Sequence, residues 1–164
     1  MSNNTMKTHV TTPSDCEVLI TRTFDAPRSR IWAMWTQAEH LKHWWGPKGW
    51  TLPVCEVDFR EGGTWFYCMQ GPDDMTSCGL TDYVKIDEPH SIVMRDKFVD
   101  ENGQEMEGMP VATSTVEFHE KDGKTTVINK TSYPTKADRD AVIEMGMAYG
   151  IDETFNRLEA YLAQ

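Results

Sequence analysis

The stretch Thr64-Trp65-Phe66-Tyr67-Cys68-Met69-Gln70 reads as a β-strand with two unlike faces. Successive side chains of a strand point to opposite sides, so Trp65, Tyr67 and Met69 share one face and Phe66 and Cys68 the other. Just before it, Glu61-Gly62-Gly63 marks a turn that closes a preceding strand at 54–59. Beyond it, strand-like runs at 77–86, 91–98, 112–119 and 124–133 are separated by the turn formers Asp87-Glu88-Pro89, Asp100-Glu101-Asn102-Gly103 and Lys121-Asp122-Gly123. Strands joined by such short connections form an antiparallel meander.

Toward the N-terminus, 16–24 is a β-branched run that ends at Asp25-Ala26-Pro27, a helix start with a carboxylate placed to cap and a proline suited to the first turn. Ile31, Trp32 and Trp35 share a face of the short helix that follows. A second short helix at 38–44 presents Leu41 and Trp45 before Gly46-Pro47 stops it. Toward the C-terminus, after Pro134, Ile143, Met147, Ile151, Phe155, Leu158 and Leu162 recur at spacings of four and three, which predicts one long terminal helix with an apolar stripe. Gly146 and Gly150 interrupt it at about 1 kcal/mol each relative to alanine. Either close approach to the sheet or a bend that makes room beneath Tyr149 would offset that cost. The order strand, two helices, six strands, long helix is an α+β class, with a flexible polar leader at 1–15 and a single domain at 16–164.

All six tryptophans fall between Trp32 and Trp65. Rings of this size bury roughly 150–250 Å² each, so the cluster is either a packing corner between helix and sheet, which the general burial of aromatics favours, or the wall of a ligand pocket. The net charge of −10 argues against nucleic acid and against anionic membrane surfaces. No apolar run approaches the ~20 residues of a membrane span, and the polar first residues lack a secretory pattern. Cys16, Cys55, Cys68 and Cys78 show no C-x-x-C spacing. They read as free thiols in a reducing cytoplasm, with a Cys68–Cys78 bridge across a hairpin as the lesser alternative.

A curved sheet and a straight helix do not mate everywhere, so a hollow between them is expected, typically ~300–1,000 Å³ and mostly apolar. Its expected ligand-binding lining is Trp65, Tyr67 and Met69 from one strand, Met94, Asp96 and Phe98 from another, and Met145 and Tyr149 from the helix. The alternative is that these side chains interdigitate into a solid core. Met106 and Met109, between two strands, read either as a lid over the cavity mouth or as part of a solvated hairpin loop.

Signals for catalysis are weak. Gly123-Lys124-Thr125 resembles the end of a phosphate-binding loop, but Phe118 stands where the first glycine is needed. His40 and His43 lack further metal ligands nearby in sequence, and no cofactor fingerprint occurs. No catalytic residue, metal or cofactor is therefore assigned. Arg22, His90, Asp96 and His119 are polar groups on strands; an inward Arg22 or Asp96 would orient a substrate, and the alternative is a structural pair at a sheet edge.

Arg22-Thr23-Phe24-Asp25-Ala26-Pro27, Ile31-Trp32, Trp35-Thr36, Trp45-Gly46-Pro47, Gly49-Trp50 and Asp58-Phe59-Arg60-Glu61-Gly62-Gly63 together resemble the bacterial proteins homologous to the activator of the heat-shock-protein ATPase. That family sits within the START-related, polyketide-cyclase-like SRPBCC superfamily. The resemblance continues through Ile86-Asp87-Glu88-Pro89, Thr115-Val116-Glu117-Phe118 and Asp122-Gly123-Lys124-Thr125 to the terminal helix, over 16–163. It implies the helix-grip fold, a sheet of about seven strands gripping the last helix around a cavity. Relatives commonly carry tryptophan after the helix glycine, where this chain has Ile151, which implies a larger or reshaped cavity. The functions implied are binding of a small hydrophobic or aromatic molecule, a cyclase or dehydratase-type reaction in the same cavity, or a co-chaperone-like contact with a chaperone ATPase. A second copy of the chain could pair at an exposed sheet edge.

Overall fold

The structure is a computed structural model describing residues 7–164. Eight strands form one antiparallel sheet: β1 (His9–Thr11), β2 (Glu17–Phe24), β3 (Thr51–Val57), β4 (Thr64–Gln70), β5 (Thr76–Asp87), β6 (Ser91–Val99), β7 (Ala112–Lys121) and β8 (Lys124–Ser132). Their spatial order is β1-β2-β8-β7-β6-β5-β4-β3. β3 to β8 thus run as a meander, and the chain closes on itself where β2 pairs with β8 along its whole length, from Glu17 opposite Ser132 to Phe24 opposite Thr125. Two short helices, α1 (Arg28–Thr36) and α2 (Ala38–Trp44), sit between β2 and β3. α3 (Lys136–Glu144) and α4 (Met147–Leu162) follow β8. This is the helix-grip fold.

Alternation explains the sheet. In β7, Ala112, Ser114, Val116 and Phe118 are buried while Thr113 is exposed, and β2 buries Val18, Ile20, Arg22 and Phe24 at the same period. Irregularities add curvature. The register of β5 against β6 shifts between Tyr83 and Lys85, leaving Val84 exposed, and β3 shifts against β4 between Thr51 and Val54, around Pro53. The tight β7–β8 turn needs left-handed backbone at Asp122 and Gly123, so Gly123-Lys124-Thr125 is a hairpin.

Several expectations change. The leader does not end at Cys16. β1 pairs with β2, and Thr8, immediately before it, is buried against Arg22. Residues 1–6 of that leader lie outside the described residues. The terminal helix is two helices: Gly146, at φ +87°, sits in left-handed backbone between α3 and α4. No residue contacts a Cβ built there, so Gly146 serves a change of chain direction and not close packing. The carboxylate of Asp25 does not cap α1, whose first-turn boundary is Pro27 without a side-chain hydrogen bond. Cys68 and Cys78, directly opposite on β4 and β5, form a disulfide, so only Cys16 and Cys55 are free thiols. The argument from free thiols to a reducing compartment loses that support. No helix among the described residues is long and apolar enough to cross a membrane.

The tryptophans divide between the two expected roles. Trp32, Trp35 and Trp44 pack edge-on or tilted with Phe24, Phe118 and Phe155 in the core, the Trp35 and Trp44 ring centres 4.7 Å apart. Trp45 and Trp65 turn toward the hollow described next. Two arginines fix α4 over this core. Arg22, 1% exposed, donates to Thr8 Oγ1 at 2.9 Å and forms ion pairs with Asp152 and Glu159 of α4. Arg157 donates to the carbonyl oxygens of His43, Gly46, Pro47 and Trp50, binding the Gly46-Pro47 corner to the helix.

Candidate functional site

Between the inner face of the sheet and α4 lies a cavity of about 260 Å³. β4 supplies Trp65, Tyr67 and Met69 as alternate residues of one face, and Trp45, at the end of α2, closes the same corner. The rings of Trp45, Trp65 and Tyr67 lie with centres 4.7–6.0 Å apart. Tyr67 faces Gly79 directly across β4 and β5, and a Cβ at Gly79 would come within 2.5 Å of its phenol oxygen. Glycine there lets the ring lie flat over the neighbouring strand instead of standing into the hollow. Opposite the sheet, Val142 of α3 and Met147 and Ile151 of α4 cover the cavity.

One polar chain crosses this apolar lining. Asp96 on β6 accepts from Thr81 Oγ1 at 2.8 Å through Oδ1 and from Ser114 Oγ at 2.9 Å through Oδ2. Ser114 Oγ is 3.0 Å from Thr131 Oγ1, which is 2.8 Å from Asn129 Oδ1. Four strands, β5, β6, β7 and β8, therefore each place at least one polar group in a chain that runs obliquely across the sheet, Thr81 opposite Asp96 and Ser114 opposite Thr131. Desolvation pushes the Asp96 carboxyl above the usual aspartate value; the hydroxyl donors Thr81 and Ser114 oppose the shift and the charge of Asp82 adds to it. Three phenols respond to the same group. Burial and then the Asp96 charge raise Tyr67, against a hydrogen bond from Trp45, and Tyr133 is pushed up to about 12 by the same two causes. Tyr83 is raised by burial first and then by Cys55, Asp96 and Asp58. All three stay neutral hydroxyls in ordinary conditions.

A half-buried carboxylate at the end of an aromatic hollow in a helix-grip fold invites comparison with known proteins. The sequence profile described as Activator of Hsp90 ATPase homolog 1-like protein matches residues 25–163. The chain belongs to this family. Solved structures agree: protein Ms6760 from Mycobacterium smegmatis is 32% identical with a TM-score of 0.87, covering 94% of this chain and 95% of that one. A protein from Staphylococcus epidermidis is 31% identical, TM-score 0.80, over 92% and 90% of the two chains. One from Arthrobacter aurescens is 28% identical, TM-score 0.87, over 94% and 91%. No curated protein matches the chain. Membership in the Activator of Hsp90 ATPase homolog 1-like family places the chain in the SRPBCC superfamily, whose fold commonly encloses hydrophobic ligands.

Against this family fold, six of the eight residues expected at the cavity are on its wall: Trp65, Tyr67, Met69, Met94, Asp96 and Phe98. Met145 and Tyr149 are not. They are 67% and 66% exposed, on the far side of the chain break at Gly146 and of α4. The apolar stripe carried the correct answer, since Met147 and Ile151 belong to it and Met145 and Tyr149 stand two residues out of phase. Arg22 is a structural ion-pair partner of α4 and does not line the cavity. His40 donates to or accepts from the Tyr161 hydroxyl at 2.8 Å and His43 stacks on the same ring. Met106 is 48% exposed and its amide bonds back to Phe98, so it does not roof the hollow; Pro110 of that loop does reach the lining. Sequence reasoning missed Thr81, Ser114, Asn129 and Thr131. For Ser114 a signal existed: it is the one hydroxyl among the inward residues Ala112, Val116 and Phe118.

Proposed function

We propose that this protein binds a small hydrophobic or aromatic molecule in the cavity between sheet and α4, its apolar body against Trp45, Trp65, Tyr67, Met69, Met94 and Phe98 and its polar end toward Asp96. The observation that carries the reading is the combination of an unfilled, largely apolar hollow with a single connected polar chain on one wall. Such sites gain affinity from apolar area and orientation from a few placed polar groups. Ile151 supports it as well, because it leaves open a volume that an indole at this position would occupy.

The test is titration of the purified chain with the neutral apolar fluorophore N-phenyl-1-naphthylamine, with Ile151→Trp as the comparison. Saturable enhancement, displaced by small aromatic hydrocarbons and weakened in the variant, supports the reading. Absence of saturable binding, or equal binding in both proteins, overturns it.

A second reading, a cyclase or dehydratase-type reaction in the same hollow, is favoured by Asp96 alone, a carboxyl with raised proton affinity facing the cavity. It predicts turnover of a bound carbonyl compound that is lost in Asp96→Asn while binding persists.

A further inference from the structure

Among the described residues Asp96 is the one carboxylate on the cavity wall, and the one cationic residue of that wall, Lys97, is paired elsewhere. Lys97 is its neighbour in sequence, but strand alternation sends its side chain the other way, where Nζ lies 3.0 Å from Asp82 and 3.4 Å from Glu105. Arg22 and Arg157 are held by α4 carboxylates and by backbone carbonyls respectively. Thr81 and Ser114 each occupy one lone pair of the carboxylate, which leaves acceptor capacity on both oxygens. A recessed carboxylate without a countercharge is costly, and its charge is neutralised either by a proton or by a cationic ligand.

The rest of the wall suits the second partner. Trp45, Trp65 and Tyr67 form a corner of three mutually tilted rings, and the faces of such rings carry the negative lobe that attracts an ammonium group. The net charge of −10 also favours approach of cations over anions. An anionic ligand, such as a fatty acid, would bring a second carboxylate into a hollow whose one lysine, Lys97, is already paired with Asp82 and Glu105.

Building on the binding function proposed above, we infer that the cavity selects an organic cation, an ammonium group on an apolar or aromatic body, with Asp96 as countercharge and the Trp45–Trp65–Tyr67 corner as its aromatic wall. Asp96 is then the specificity-determining residue of the site. The groups around it set the pH behaviour. Tyr67 of β4, Tyr83 of β5 and Tyr133 after β8 stay neutral, Asp82 adds negative charge from β5, and the facing residues Met147 and Ile151 of α4 and Trp35 of α1 carry none. Affinity for a permanently charged ligand therefore tightens as pH rises through the titration of Asp96.

Three probes of similar size separate the outcomes by calorimetry or fluorophore displacement: benzyltrimethylammonium, its uncharged carbon isostere neopentylbenzene, and the anion 4-phenylbutyrate. The quaternary probe neither titrates nor donates hydrogen bonds, so it reports charge alone. The expected result for the wild-type chain is a preference of about tenfold or more for the cation over the isostere. It persists in about 0.5 M salt, where attraction to the general surface charge is screened. Asp96→Asn, checked for native near-ultraviolet dichroism, cuts the preference to the smaller part that the aromatic wall supplies. Equal or tighter binding of the isostere by the wild-type chain, tightest binding of the anion, or an undiminished preference in Asp96→Asn each overturns the inference while leaving a hydrophobic cavity intact. Failure of all three probes removes the binding function and this inference together.

Discussion

Ser114 Oγ lies 3.0 Å from Thr131 Oγ1, yet each hydroxyl has a second oxygen neighbour that also needs a hydrogen. With Asp96 ionised, the Ser114 hydrogen goes to the carboxylate, and with the Asn129 oxygen as acceptor the Thr131 hydrogen goes to that amide. Two hydrogens cannot serve three contacts. Two arrangements satisfy the chain. Either the Asn129 amide donates and every hydrogen points toward an ionised Asp96, or Asp96 is protonated and every hydrogen points away from it toward the Asn129 oxygen. Protonating one carboxyl thus reverses the polarity of a hydrogen-bonded chain across three strands.

This makes Asn129 a reporter of Asp96. The side-chain amide resonances of Asn129 should move with pH along the titration curve of Asp96 and lose that movement in Asp96→Asn. An Asn129 signal that is flat while the Asp96 carboxyl carbon titrates would show that the chain does not reverse.

The raised proton affinity of Asp96 also has a sign in stability. The folded state keeps this proton over a pH range in which the unfolded chain, with aspartate at its ordinary value of 3.8, has lost it. Stability from this group is therefore greatest below 3.8 and falls as pH rises from there through the folded value, then stays level. Urea midpoints of wild type and Asp96→Asn measured from pH 3.5 to about 8 should diverge in favour of the variant as pH rises. Glu17, Asp140 and Glu159, lowered by their surface partners, slope the opposite way in both proteins and cancel in the difference.

Ile151→Trp should keep the fold, since the side chain projects into unfilled volume, and should weaken binding of the neutral apolar probe by about tenfold or more by filling that volume. Unchanged binding in the variant would place the probe outside the hollow and overturn the proposed site.

Arg22→Ala removes the guanidinium that joins β2 to α4 and leaves Asp152 and Thr8 without it. A loss of about 2–3 kcal/mol is expected, below the full figure for a buried pair because Glu159 is 46% exposed and screened. Denaturant unfolding reads it directly; a loss under about 0.5 kcal/mol, the size of a surface effect, would contradict the assigned role.

Gly146→Ala tests the break between α3 and α4. Left-handed backbone costs alanine about 1 kcal/mol, and no neighbour crowds the new methyl group, so the penalty should be purely conformational. A neutral outcome would mean that α3 and α4 straighten into one helix at no cost.

The strands were legible because period-two alternation is strong in 64–70 and 112–119, and turn residues separate them. β1 was not: three residues with two β-branched members carry no period, and its place depends on Thr8 reaching Arg22 across β2. The α3–α4 break was hidden because the apolar spacing from Ile143 to Met147 continues through Gly146 as though the helix did. The wall residues of β4 and β6 could be read from parity, whereas Met145 and Tyr149 were chosen for residue type against the phase of the stripe. The polar chain needed the register itself, because only pairing of β6 with β7 and of β7 with β8 sets Ser114 directly opposite Thr131 and one diagonal step from Asp96.

The pairing of β2 with β8 governs the order of assembly as well as the shape. β2 leaves the ribosome before β3 to β7, but its one long partner, 124–132, and the helix that anchors Arg22 follow all of them. Until then β2 has only the three residues of β1 beside it, and α1 and α2 have no closed sheet on which to rest. The meander from β3 to β7 forms from neighbouring hairpins and can gather as synthesis proceeds, while the grip itself waits until β8 and α4 have been made. Chains shortened ahead of Lys124 should therefore hold a formed β3–β7 meander with an unpaired leading strand, a species open to proteolysis between Glu17 and Trp50.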